Sequence, residues 1–353
     1  MAVSPNLLFT ALKQSAASVF RKRKIVDVST DQTTKDHPEI IKQANAAVRS
    51  EDFSAAVGLY AKLADAKSKN PDIYISYGYS LLKVTDFSRA KAVLKTAIEL
   101  APESADAHYM LGKACIALND HSAAETAWVT SHRLSPKIES LYCDLCLLLF
   151  TVGKVSQARS FLKSGIENFP LNSDLYFYLG NLDAENADYA EAAIAYQKAI
   201  DLDPTSPHLL SNYGTALRQI GNLTLSTELT KKALELAPEI PSIFSNYLFG
   251  IQYSPAFTKE EKFKAHLEYA EKFETPFLAK WGNYKNDTNQ NRKIRIGYVS
   301  GDFRNHSLIF FIAPILANHD KSRFEIYCYY AHPLFDADSE RIKKMSDQWL
   351  ICH

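Results

Sequence analysis

Several features that mark other classes of protein are scarce or missing in this sequence. No apolar run approaches the roughly 18 residues of a membrane-spanning helix, so we expect no membrane partner. Forty Lys and Arg residues balance 40 Asp and Glu residues, which argues against a nucleic-acid partner. The five cysteines lack the spacing of a disulfide framework, which predicts a reducing, cytoplasmic location. With only 12 glycines in 353 residues, the composition favours a mostly helical chain.

The segment before the first regular pattern is basic. It has no acidic residue before Asp27, and a run of positive charge, Arg21–Lys24, follows an amphipathic stretch from Leu7 to Phe20. We interpret residues 1–36 as a basic tail or a short leading helix. A transit peptide and a nuclear signal are the alternatives.

A 34-residue repeat dominates the middle of the chain. Its clearest marks are five evenly spaced prolines, Pro102, Pro136, Pro170, Pro204 and Pro238. When the units are counted from residue 71, small residues occupy the eighth, twentieth and twenty-seventh places of each unit. The eighth places are Gly78, Gly112, Cys146, Gly180 and Gly214. This pattern resembles the tetratricopeptide repeat, a 34-residue helix-turn-helix.

We count six units over residues 37–240, the first degenerate because Ser68 replaces the proline. Small residues let the two helices of a unit approach closely, and each proline separates one unit from the next. Every helix pair exposes an apolar face until its neighbour stacks on it, so the repeats predict a solenoid. Such solenoids usually bind peptides or proteins.

Cys143 and Cys146 form an isolated C-x-x-C motif. Cys146 holds a small-residue place of its unit, and no second pair offers further ligands. We therefore predict that both cysteines lie in the core and that the chain has no metal site.

Residues 241–290 predict a partial repeat, a connecting helix and a linker. Phe244 and Tyr247 hold the large places of a seventh unit. Thr258 and Glu261 form a capping box that opens a helix with Phe263, Leu267, Ala270 and Phe273 on one face. Residues 282–293 are polar and rich in turn formers, which is typical of a linker.

The pattern changes from helical to extended in residues 291–353. Two strands, Ile294–Ser300 and Phe324–Tyr330, flank an apolar helix. This is a βαβ unit, which implies a parallel sheet. The fold class is therefore mostly α, a tetratricopeptide-repeat solenoid followed by a truncated α/β, Rossmann-like βαβ segment. Parallel sheets bind ligands beyond the carboxyl ends of their strands, where residues 301–307 lie.

The sequences of residues 295–307 (RIGYVSGDFRNHS) and 318–329 (NHDKSRFEIYCY) carry a more specific signal. They resemble the opening of the catalytic domain in the O-GlcNAc transferase and spindly-type family of protein glycosyltransferases. That family also places tetratricopeptide repeats directly before the enzyme. The resemblance implies transfer of a sugar, usually N-acetylglucosamine from UDP-GlcNAc or another nucleotide sugar, to Ser or Thr of proteins. It implies no other cofactor.

The same resemblance supplies the candidate site residues. His306, carried over from the family's histidine, is the candidate catalytic residue, either as the base or as a group that positions sugar and acceptor. Asp302 matches the same motif and is a substrate-binding candidate, although we expect it to order the loop by capping backbone N–H groups. His319 and His332 are interpreted as structural.

Asparagines at the sixth place of each unit form a ladder in the family's animal members. Only Asn212 and Asn246 match it here, so we predict that the repeats grip the acceptor backbone near these two residues. The alternative is that both asparagines bond to neighbouring helices.

The family's catalytic domain needs several hundred residues, and this sequence ends after one recognisable βαβ unit. We therefore expect a fragment that lacks the donor-binding lobe and is inactive alone. A non-catalytic repeat scaffold is the alternative.

Overall fold

The computed structural model describes residues 38–282, 287, 289, 291–332 and 334–352. The chain divides into two compact units, of which the first ends at Pro276 and the second begins at Phe277. The predicted basic tail, residues 1–36, lies outside the described residues, as does part of the predicted linker. In the part of the chain that is described, no helix has the length and apolarity to cross a bilayer.

The first unit is built from consecutive helix pairs. Its helices are α1 (Pro38–Arg49), α2 (Phe53–Asp65), α3 (Pro71–Lys83), α4 (Phe87–Leu100), α5 (Ala105–Ala117), α6 (His121–Leu134), α7 (Glu139–Thr151), α8 (Val155–Asn168), α9 (Ser173–Glu185), α10 (Tyr189–Leu202), α11 (Pro207–Gln219), α12 (Leu223–Leu236), α13 (Pro241–Tyr253) and α14 (Lys259–Phe273). A 3₁₀ helix spans Thr275–Lys280. The predicted fold class is confirmed for this part: helical repeats occupy most of the chain.

Short polar side chains begin these helices. Asp86 accepts a hydrogen bond from the Arg89 N–H at the start of α4, and Asp120 does the same for the Ala123 N–H at the start of α6. These bonds satisfy N–H groups that have no partner within the helix. Capping residues therefore fix where the second helix of a unit begins.

The turn inside each of the first six helix pairs contains a residue in the left-handed region, always at the fifteenth place of the unit. The six residues are Glu51, Thr85, Asn119, Gly153, Ala187 and Gly221. Only two of them are glycine, the residue that adopts this conformation without steric cost. The turn is therefore imposed by the packing of the two helices, and the other four residues accept the strain.

The small residue at the eighth place lets the paired helices touch. A Cβ added to Gly78 would lie 2.5 Å from Cγ of Leu94, and one added to Gly180 would lie 2.6 Å from the ring of Tyr196. At Gly112 the same atom would overlap the indole of Trp128. The large partner in each pair holds the twenty-fourth place, so the two periodic positions of the sequence meet in the core.

Cys143 and Cys146 are both buried, with 5% and 3% of their surface exposed, and both are free thiols. Burial raises the pKa of Cys146 to about 12. The prediction that this C-x-x-C motif belongs to the core is confirmed. No cluster of three or more potential metal ligands occurs among the described residues.

The seventh helix pair, α13 and α14, closes the first unit. Both bonds of the predicted capping box are present, between Thr258 and Glu261. The predicted apolar face of α14 is partly wrong, because Phe263 and Leu267 are 65% and 52% exposed. Ala265, Tyr269 and Phe273 pack on Phe244, Leu248 and Ile251 instead. The face of α14 that packs against α13 is therefore the one that carries Tyr269.

The second unit is a parallel sheet with two crossover helices. Its elements are β1 (Ile294–Ser300), α15 (Ile309–Ala317), β2 (Phe324–Tyr330), α16 (Ala337–Met345) and β3 (Gln348–Ile351). The strand order is β1-β2-β3, with Ile294 opposite Phe324 and Tyr327 opposite Gln348. The two predicted strands and their parallel pairing are confirmed.

The expectation that the chain ends after one βαβ unit is wrong, because α16 and β3 add a second crossover. Their sequence signal is weak: α16 buries only Ser339 and Ile342, and β3 has four residues. Ile326, Cys328 and Leu316 form the core beneath one face of the sheet.

Candidate functional site

The loop after β1 carries the predicted site residues, and Phe303 anchors it. The ring of Phe303 is 1% exposed; it stacks on Tyr330 and lies tilted against Trp349, with centroids 6.4 and 6.0 Å away. With this residue in the core, its polar neighbours are held at the carboxyl end of the sheet. Asp302 and His306 each keep 42% of their side-chain surface exposed there.

His306 has a defined orientation in this loop. Its Nδ1 accepts a hydrogen bond from the Leu308 N–H at 3.2 Å and lies 4.0 Å from Oδ2 of Asp302. Because Nδ1 accepts, a neutral imidazole carries its proton on Nε2 and acts there as a donor. In this orientation the ring is suited to hold an oxygen atom of a ligand. To act as a base, the ring would have to free Nδ1 by breaking the hydrogen bond from the Leu308 N–H.

Asp302 does not cap the loop as predicted. Its Oδ1 pairs with Nη2 of Arg304 at 3.3 Å, and it accepts no backbone N–H among the described residues. Asp336, from the loop after β2, performs that task instead, because its Oδ2 accepts the Asn305 N–H at 2.8 Å. The carboxylate that orders the loop therefore comes from the neighbouring strand, which sequence proximity could not reveal.

Asp336 also starts α16. Its Oδ1 accepts the Ser339 N–H at 2.9 Å, and the Ser339 hydroxyl accepts the Asp336 N–H. Burial acts to raise the pKa of Asp336, but the N–H groups of Asn305 and Ser339 outweigh it and lower that pKa below its usual value. One ionised side chain thus ties the loop after β1 to the loop after β2.

His332, which was predicted to be structural, lies at the same edge of the sheet. It stands two residues after the end of β2, and a Cβ added to Gly301 would lie 3.8 Å from its Cβ atom. Its Nδ1 accepts the Leu334 N–H at 3.0 Å, so a neutral ring also presents Nε2–H. Nothing in the sequence around His332 marks it except its place just after a strand. The structure therefore brings Asp302, His306 and His332 onto adjacent loops.

The predicted asparagines lie in the first unit, and both bond to the preceding repeat. Nδ2 of Asn212 donates to Oδ1 of Asn181 at 2.9 Å, and Nδ2 of Asn246 donates to Oγ of Ser211 at 2.9 Å. Both are half-buried. Their amide N–H groups thus join neighbouring repeats, as the alternative interpretation expected, while no described group donates to either carbonyl oxygen.

The two units define a helical-repeat protein that also carries a three-stranded parallel sheet with two crossover helices. Comparison with protein families gives the same division. The tetratricopeptide repeat model matches residues 78–137 and 143–207. The glycosyl transferase family 41 model matches residues 270–349.

Comparison with individual proteins also points to glycosyltransferases. The chain is 33% identical over 86 residues to the "Probable UDP-N-acetylglucosamine–peptide N-acetylglucosaminyltransferase SPINDLY" of Arabidopsis thaliana, a match that covers 24% of this chain and 9% of that protein. The protein of the same name from Oryza sativa subsp. japonica is 29% identical over 96 residues, covering 27% of this chain and 10% of that one. These matches span about a tenth of the relatives' length.

Among solved structures, a mutant O-GlcNAc transferase from Thermobaculum terrenum has a TM-score of 0.53 and 27% identity. The similarity covers 60% of this chain and 41% of that one. The predicted resemblance is confirmed: the chain is similar to proteins of the O-GlcNAc transferase and SPINDLY type, with tetratricopeptide repeats followed by a segment that matches the family 41 glycosyltransferase model.

Proposed function

We propose that this chain is the acceptor-binding arm and first catalytic segment of a protein O-glycosyltransferase. The reaction is transfer of N-acetylglucosamine from UDP-GlcNAc to Ser or Thr hydroxyls, in the cytoplasm. One observation carries the proposal: the family 41 match falls on a parallel sheet whose carboxyl-end loop presents a half-exposed histidine, and the repeats precede it in the same chain. The five free cysteines are consistent with the reducing location.

His306 is assigned a positioning role at the site. Transfer requires that the acceptor hydroxyl lose a proton and that charge on the departing diphosphate be stabilised. An imidazole that carries its proton on Nε2 can donate a hydrogen bond to an oxygen of the sugar or of the leaving group. The hydrogen bond from the Leu308 N–H to Nδ1 holds the ring for that task.

The repeats are assigned the recognition of the acceptor polypeptide. The carbonyl oxygens of Asn212 and Asn246 can accept hydrogen bonds from the acceptor backbone, since their N–H groups already bind the neighbouring repeat. The described part of the glycosyltransferase segment holds three strands, so we propose that donor binding requires residues beyond this sheet.

The test is a transfer assay on the full-length protein that contains this sequence, with radiolabelled UDP-GlcNAc or GDP-fucose and a mixture of candidate acceptor proteins. We expect label on Ser or Thr from UDP-GlcNAc. Label from GDP-fucose alone would contradict the donor assignment. Absence of label from both donors, with acceptor proteins still retained by the repeats, would favour the non-catalytic scaffold. The 353-residue chain alone is expected to transfer nothing.

A further inference from the structure

A cation with exposed aromatic neighbours lies near the carboxyl ends of α11 and α13. The guanidinium carbon of Arg218 stands 4.4 Å from the ring centre of Phe249, and that ring meets Tyr253 edge-on at 5.3 Å. Phe249 is 51% exposed and Tyr253 is 55% exposed. We call these three residues the Arg218 patch.

Arg218 differs from other cations of the repeats in its partners. Lys91 pairs with Asp120 at 2.7 Å and Arg159 with Asp183 at 2.5 Å, each across neighbouring repeats. No carboxylate among the described residues lies within ion-pair distance of Arg218, and its Nη1 is shielded from water without a hydrogen-bond partner. Burial lowers the pKa of Arg218, against the opposing effect of the Tyr253 and Tyr189 phenols.

Without a bound ligand, this arrangement carries a cost in free energy. A partly desolvated guanidinium group without an anion loses hydration that no ion pair replaces. Exposed aromatic side chains grouped around one point also mark interaction sites rather than ordinary surface. A ligand that supplies both a carboxylate and apolar contact would relieve both costs.

We propose that the Arg218 patch binds an Asp or Glu side chain of an extended acceptor polypeptide. The guanidinium fork matches a carboxylate in two parallel hydrogen bonds, while Phe249 and Tyr253 cover the apolar neighbours of that acidic residue. Charge complementarity selects an acidic segment over a neutral or a basic one. The inference rests on the proposed role of the repeats in acceptor binding, and it specifies which acceptors they prefer.

The test measures peptide binding to this 353-residue chain directly, without sugar transfer. The probes are fluorescein-labelled, carboxyl-terminally amidated peptides rich in Ser, Thr and Val, with two central Glu residues or two Gln residues at the same positions. Fluorescence anisotropy should show the Glu peptide binding about tenfold more tightly than the Gln peptide. Equal affinities, or binding of neither peptide, would overturn the proposal while leaving the transfer function intact.

Variants locate the effect. Arg218→Met keeps the length of the side chain without its charge and should abolish the preference for Glu. Arg133→Met, which removes an exposed arginine from α6, should keep it. If Arg218→Met still prefers the Glu peptide, a different site binds the Glu side chains and the proposal is wrong. Self-association of the chain that Arg218→Met abolishes would identify a second copy as the occupant and would also overturn the proposal. The wild-type peptide comparison decides the matter if a variant does not fold.

Discussion

Gly180 on α9 faces the ring of Tyr196 on α10, and replacing it with alanine tests how the repeats pack. The new Cβ would lie 2.6 Å from Cδ1 and from Cε1 of Tyr196, where ordinary contacts exceed 3.4 Å. The ring cannot simply move away, because it is 1% exposed and its hydroxyl donates to Oδ1 of Asn181 at 2.7 Å. The added methyl group must therefore either break that hydrogen bond or push the two helices apart.

The expected cost has three contributions. Overpacking costs about 2 kcal/mol, and loss of the tyrosine hydrogen bond adds about 1 kcal/mol. Alanine in a helix recovers about 1 kcal/mol relative to glycine. We therefore expect Gly180→Ala to lower the free energy of unfolding by about 2 kcal/mol.

Gly58→Ala is the matched control. Gly58 lies in α2, is exposed, and has no atom within 4 Å of an added Cβ. Gly58→Ala should therefore raise the free energy of unfolding by up to about 1 kcal/mol. Urea unfolding followed by circular dichroism at the helix band measures both variants. If Gly180→Ala proves as stable as Gly58→Ala, the packing of the eighth place against the twenty-fourth is not what limits that position.

Three more measurements test the turns of the repeats, the loop after β1 and the buried thiols. Thr85→Gly should raise the free energy of unfolding by about 1 kcal/mol in the same urea experiment, because Thr85 is β-branched and has φ of 63°. Because the folded-state pKa of Asp336 is lowered, its contribution to stability is present above the unfolded pKa of about 4 and is lost as pH falls through the folded pKa. The protection of the Asn305 N–H against hydrogen exchange, taken relative to the intrinsic exchange rate at each pH, should fall in that range, and Asp336→Ala should show no such pH dependence. A thiol reagent should label Cys352 alone in the native chain and all five cysteines in urea; rapid labelling of Cys146 would contradict its place in the core.

The parts of the fold that sequence could predict are those in which one interaction repeats. A helix pair every 34 residues requires a small residue at the eighth place and a large one at the twenty-fourth, as at Gly180 and Tyr196. The left-handed turn at the fifteenth place repeats as strictly, but Thr85 and Ala187 gave no sign of it. Packing of the helices outweighs local preference at these two residues.

The site was less predictable because its contacts cross between strands. The motif located His306, but the orientation of its ring depends on the Leu308 N–H. The order of its loop depends on the bond between the Asn305 N–H and Asp336, which are 31 residues apart. Asn212 and Asn246 could be placed in a register from the sequence. Which atoms remain available on them depends on the neighbouring helix.

The central claim is that these repeats serve a sugar-transfer site in which His306 positions a reacting group. The most direct measurement is the rate of N-acetylglucosamine transfer by the full-length protein with His306→Ala, beside His306→Asn and the exposed control His208→Ala. We expect a loss of about 100-fold in His306→Ala, partial activity in His306→Asn because it keeps an N–H donor, and an unchanged rate in His208→Ala. Transfer by His306→Ala at the parent rate would contradict the account.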